Sequence, residues 1–211
     1  MNPRTADDAT ASPEQVLAFW FGAPPTSKPE LDACMKRWFA GGADQDAAIA
    51  ERFAATIDAA ARRELGAWEK DARSRLALIL LLDQFPRSVH RGTRLAFAQD
   101  SRALDLALSG MGTGLDRRLA PLERVFFYMP LQHAESVDVQ EHAVAAFSRL
   151  AEEVDAPLLR DALAGAAKYA RQHHDIIARF GRFPHRNAAL GRRSTPAEAA
   201  YLAQGAPKFG Q

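Results

Sequence analysis

The 211 residues carry 27 Lys and Arg against 26 Asp and Glu, a formal net charge of +1, with 47% hydrophobic and 25% charged residues. That length suits one domain that can bury a core without a metal or disulfide staple, and the even charge balance argues against a general binder of nucleic acid or acidic membranes. The lone cysteine, Cys34, excludes an intramolecular disulfide and fits a reduced thiol inside a cell.

Residues 1–11, polar and acidic, read as a flexible tail with no secretory signal, and 12–211 as a single all-helical domain. The first helix opens on "SPEQ", where Ser12 can cap, Pro13 suits the first position and Gln15 completes a capping box. It stops at Gly22 and Pro24–Pro25. A second helix is expected over about 29–39, and a third over about 44–64 with Ile49, Phe53 and Ile57 on one stripe. The fourth, about 72–85, is apolar almost all round and belongs at the centre of a bundle; "PRSVHRGT" then reads as a loop. "LALILLL" within the fourth is too short to span a bilayer.

The fifth helix is expected over about 94–109, broken by "GMGTG". The sixth, about 121–134, contains Pro130 and should kink or stop early. The seventh follows Ser136, with Val139, Ala143, Phe147 and Leu150 on one face. The eighth, about 157–180, is the longest. The last starts at "STPAE", with Thr195 as cap and Glu198 closing the box. No segment alternates with period two, so the reading is all-α: about nine helices in antiparallel pairs, a bundle or solenoid.

Three polar groups stand out. The eighth helix places His173 on its apolar stripe, either as a buried imidazole bonded to a neighbouring backbone or carboxylate, or as a general base. After that helix, "RFGRFPHRN" begins a stretch with no acid and five arginines, Arg179, Arg182, Arg186, Arg192 and Arg193, joined by His185 and Asn187. Gly181 suits a left-handed helix end. Such crowding needs negative charge from distant side chains or from an anionic ligand. Asp83, closing the most apolar helix, needs an arginine partner from Arg87, Arg91 or the distant loop. The third group is "YMPLQHAES", with Tyr128, His133 and Glu135. No zinc spacing, phosphate loop, dinucleotide fingerprint or serine elbow is present, so neither a metal nor a cofactor is expected.

"FWFG" at 19–22, "LDQFPRSVHRGTRLAFAQD" at 82–100, "FFYMPLQHAES" at 126–136 and "RFGRFPHRNAALGRRSTPAEAAYL" at 179–202 resemble the bacterial family called domain of unknown function 924. The resemblance runs through most of the chain. It implies an all-helical, tetratricopeptide-like fold without bringing an activity. Its pattern includes Asp83, Gln84, Arg87, Arg91, His133, Arg179, Arg182, His185, Arg186 and Asn187, which points to one shared cleft.

Three functions follow as expectations. The first is a cytoplasmic module binding an anionic small molecule or acidic peptide through Arg87, Arg91, Arg182, His185, Arg186 and Asn187. The second is a hydrolase-like enzyme with His133 or His173 as general base, oriented by Asp83 or Glu135. The third is a structural or interaction protein whose polar motifs lock helix ends. Neither nucleic acid nor membrane is expected as a partner, and the protein reads as a monomer or homodimer.

Overall fold

The computed structural model describes residues 10–206, which hold ten α-helices and no strand. The helices are α1 Pro13–Phe21, α2 Lys28–Phe39, α3 Ala43–Ala61, α4 Ala72–Ile79, α5 Phe85–Val89, α6 Asp100–Gly112, α7 Pro121–Gln132, α8 Val137–Glu153, α9 Arg160–Phe180 and α10 Pro196–Ala203. The expected tail falls outside the described residues for residues 1–9. Ala11 is tied down, its amide donating to Thr56 Oγ1 at 2.8 Å.

The local signals act as the residue types require. At α1, Ser12 and Gln15 form a reciprocal capping box, and Thr195 and Glu198 repeat it at α10. Asp71 caps α4 by accepting from the Arg73 amide at 2.9 Å. Gly181 ends α9 at φ 70°, a left-handed conformation that favours glycine. Helix α7 ends at Gln132, two residues after Pro130 and short of its expected end.

The tenth helix comes from a break in the expected fourth. Residues 80–84 form a π turn, in which the Phe85 amide reaches back to the Leu80 carbonyl, and α5 follows where a loop was expected. Pro86 has no amide hydrogen to offer Leu82, so the regular ladder cannot run through it. One extra residue enters the turn, a device found in helices at functional sites. Here it carries Asp83 into the interior: Leu76 to Asp83 are all fully buried. Helix α4 packs against α1, α6 and α7, and the π turn against α3 and α6, so this is the expected central helix.

The expected fifth helix is also displaced. Residues 94–97 form a separate 3-10 turn, and α6 runs on through Gly110 to Gly112. Gly110 is needed there for close approach, since a Cβ on it would stand 2.5 Å from Cζ of the buried Phe127.

On one flank α8 packs between α7 and α9, and α9 also touches α7. Ile176, Ile177 and Phe183 form a small second core beside the main one. This arrangement brings the end of α7, the π turn, the start of α6 and the loop after α9 together. No helix among the described residues is long and apolar enough to cross a membrane.

Candidate functional site

The π turn presents Asp83 to α7 and α5. Its Oδ1 lies 2.7 Å from His133 Nδ1, at the end of α7, and accepts from Arg87 Nη2 at 3.3 Å, one turn onward. Gln84 Nε2 donates to Oδ2 at 2.5 Å. Burial pushes the Asp83 carboxyl up, but the hydrogen bond from His133, the charge of Arg87 and the hydrogen bond from Gln84 outweigh it and hold the group well below the usual carboxylate range. An ionised carboxylate only accepts hydrogen bonds, so His133 carries its proton on Nδ1 and leaves Nε2 as the acceptor. Burial, with Arg87 and Arg186 nearby, lowers the His133 pKa against the pull of Asp83. The ring is therefore neutral at pH 7.

Behind this pair lies a closed charge network. Arg87 forks onto Asp100, at the start of α6, with Nη1–Oδ1 3.0 Å and Nη2–Oδ2 3.1 Å, and also donates to the Ala96 carbonyl at 2.9 Å. Arg186, from the loop after α9, donates to Asp100 Oδ2 at 3.2 Å and to the His133 carbonyl at 3.1 Å. Its guanidinium lies 4.4 Å from the Phe183 ring centroid and 4.8 Å from that of Phe97. Burial and Arg87 bring its pKa down to about 10. Two aspartates thus face two arginines, and chain-distant motifs meet as the sequence suggested: Asp83 and Arg186 join through His133, Arg87 and Asp100.

The other loop residues form a second cluster. Glu198, buried on α10, accepts from Arg182 Nε at 2.6 Å and Nη2 at 2.8 Å, and from Asn187 Nδ2 at 3.3 Å. Arg182 first, then the Thr195 amide and hydroxyl, bring its pKa down to about 2. Glu135 accepts from Arg192 at 2.6 Å and 3.0 Å and from the Phe183 amide at 2.8 Å. Arg179 lies 4.7 Å from the Phe180 ring centroid and 5.6 Å from that of Tyr201. The missing acids of this stretch are Asp100, Glu135 and Glu198. Tyr128 is held elsewhere by Asp116 at 2.6 Å, with burial and Asp116 raising its pKa to about 12.

A cavity of about 560 Å³ opens beside the Asp83–His133 pair, lined by Gln84, Arg87, Arg91, Gln132, His133 and His173 together with Trp20, Arg37, Trp38, Phe39, Asp46 and Tyr169. Arg182, His185, Arg186, Asn187 and Glu135 are not part of that lining. His173 sits 6.2 Å from the His133 ring and donates from Nδ1 to the Tyr169 carbonyl at 2.8 Å, as expected of a core imidazole bonded to backbone. Arg91 pairs with Asp46 at 2.9 Å on the rim. Arg37, which the sequence did not single out, is the cation of this wall that forms no ion pair among the described residues. Its Nη2 donates to the carbonyls of Trp20 at 3.0 Å and Phe21 at 2.9 Å, while its buried Nε has no partner. Asp100 closed a quoted motif, and Gln132 adjoins His133; Arg37 gave only an arginine beside an aromatic pair. Among the described residues, no group of three or more His, Cys, Asp or Glu is placed to hold a metal ion.

The buried His173 and the half-buried His185 make stability pH-dependent. Burial brings the His173 pKa to about 3 and that of His185 to about 4, below the usual 6.5. Between those values and 6.5 the unfolded chain binds protons that the folded chain refuses. Stability therefore holds above pH 6.5 and is lost as pH falls below it. His173→Gln is expected to flatten that acid-side slope by up to about 1.4 kcal/mol per pH unit, measured by urea unfolding at pH 4.5 to 7; an unchanged slope contradicts the assignment.

A family model described as bacterial protein of unknown function (DUF924) matches residues 16–206. A solved structure of a protein of unknown function from Agrobacterium tumefaciens is similar, with a TM-score of 0.76 and 38% identity over 92% of this chain and 97% of that one. No curated protein matches the chain.

Proposed function

We propose that this chain, which belongs to the DUF924 family of bacterial proteins of unknown function, binds a small anionic molecule in the 560 Å³ cavity and performs acid–base chemistry on it. The observation that carries the reading is the 2.7 Å bond from His133 Nδ1 to the buried Asp83, on the wall of that cavity. Asp83 fixes the tautomer and the ring orientation, and Nε2 is left to take a proton from a bound molecule.

The anionic character of that molecule follows from the wall's charge. Three arginines, Arg37, Arg87 and Arg91, line the cavity against one carboxylate, Asp46. Arg87 is neutralised from behind by Asp83 and Asp100, and Arg91 by Asp46. Arg37 is left to meet a ligand's charge through Nη1, because two carbonyls hold its Nη2 and its Nε is buried; a charge-assisted bond from Nη1 suits a carboxylate or phosphate oxygen. A bound anion also raises the His133 pKa toward neutrality, where a general base works best.

Binding to the native state raises its stability by about 2.7 kcal/mol at a hundredfold excess over Kd. Thermal unfolding in phosphate, sulfate, acetate and octanoate should show a shift in the wild type for at least one of these. The shift should be lost in Arg37→Ala, whose unliganded Tm stays within a few degrees. A shift retained in Arg37→Ala, or absent for all four anions, overturns the reading.

A further inference from the structure

A second, apolar cavity of about 290 Å³ lies against the first, and Trp38, Phe39, Met129, Gln132 and Tyr169 line both. Its own walls come from α2, α7, α8 and α9: Met35, Leu122, Val125, Phe126, Phe147, Ala162, Gly165 and Ala166. Its one charged lining residue is Asp161, on the exposed outer rim. The volume is roughly twice the ~150 Å³ of an apolar cavity that takes benzene. Where the chambers meet stands Gln132, which is 6% exposed and whose Oε1 has no hydrogen-bond partner.

We infer that the anion is the head of an amphipathic molecule, whose aliphatic or aryl arm runs past Gln132 into the apolar chamber. The arm cannot take the reverse orientation, because the far rim carries Asp161 and the arginines lie at the other end. Gly165 marks the floor on α9: a Cβ built there meets nothing within 4 Å. That space is left for the ligand rather than filled by the helix. The inference rests on the anion reading above and adds the chemistry of the rest of the molecule.

The test is calorimetric titration of the full chain with acetate, butanoate, hexanoate and octanoate. Each methylene that enters the chamber should tighten binding about three- to fourfold, from the transfer free energy of about 0.8 kcal/mol per CH₂. Gly165→Leu puts an isobutyl group into the chamber from a Cβ that enters open space, and is a better helix former. It should erase the chain-length gain while binding acetate as the wild type does, with a Tm no lower than the wild type. Affinity flat along the series, or a gain that survives in Gly165→Leu, overturns the amphipathic arm and leaves the anion site standing. Octanoate binding equally well to Arg37→Ala overturns the anion reading itself, as does binding of no carboxylate together with no shift in phosphate or sulfate.

Discussion

Replacing Asp83 with alanine is expected to cost about 3–5 kcal/mol of folding stability, the range for removing one partner of a buried ion pair. The carboxylate is fully buried and accepts from His133, Arg87 and Gln84. Without it, Arg87 and Arg186 face Asp100 alone, one negative charge against two positive charges in a largely buried region. His133 also loses the acceptor that fixes its tautomer. Asp83→Asn keeps the shape and part of the hydrogen bonding but not the charge, so it should fall between wild type and alanine. Urea unfolding decides the point: the midpoint should drop while the slope stays constant. A cost under about 1 kcal/mol, the worth of a single ordinary hydrogen bond, would contradict the network.

The second large effect concerns Arg186, which the sequence favoured as a ligand residue. Its side chain is 7% exposed and bonded to Asp100 and the His133 carbonyl between two phenylalanine rings. Arg186→Ala should destabilise by about 3 kcal/mol, through lost packing and a lost partner for Asp100. Arg186→Met should recover most of that loss, because Arg87 still forks onto Asp100 and an apolar chain avoids the cost of burying a guanidinium. Anion binding by the methionine variant should match the wild type. An Arg186→Met protein as stable as the wild type but unable to bind would return the loop to the ligand site.

The helices were legible because their signals are local. Capping boxes at Ser12 and Thr195, the left-handed glycine at 181 and the all-apolar fourth segment depend on near neighbours in the chain. The π turn was not legible, since a missing amide at Pro86 can end a helix, kink it or widen it, and only packing against α3 and α6 selects among these. The candidate site was half legible. A carboxylate closing a greasy helix and a run of unbalanced arginines each demanded a partner, and the partners exist. Which arginine answers which acid depends on distances across 86 residues of chain for Arg186 and Asp100, and no spacing rule reports those. Arg37 escaped notice because it becomes distinctive only through what surrounds it: two backbone carbonyls and no carboxylate.

The central claim is that Asp83 holds His133 with Nε2 bare toward a cavity that receives an anion, and the nitrogen spectrum of the His133 imidazole tests it most directly. At pH 7 the account predicts a neutral ring protonated on Nδ1, with a bare Nε2 whose resonance moves as octanoate is added and stays still in Arg37→Ala. A ring protonated on Nε2, or an Nε2 signal indifferent to an anion that binds the protein, would contradict it.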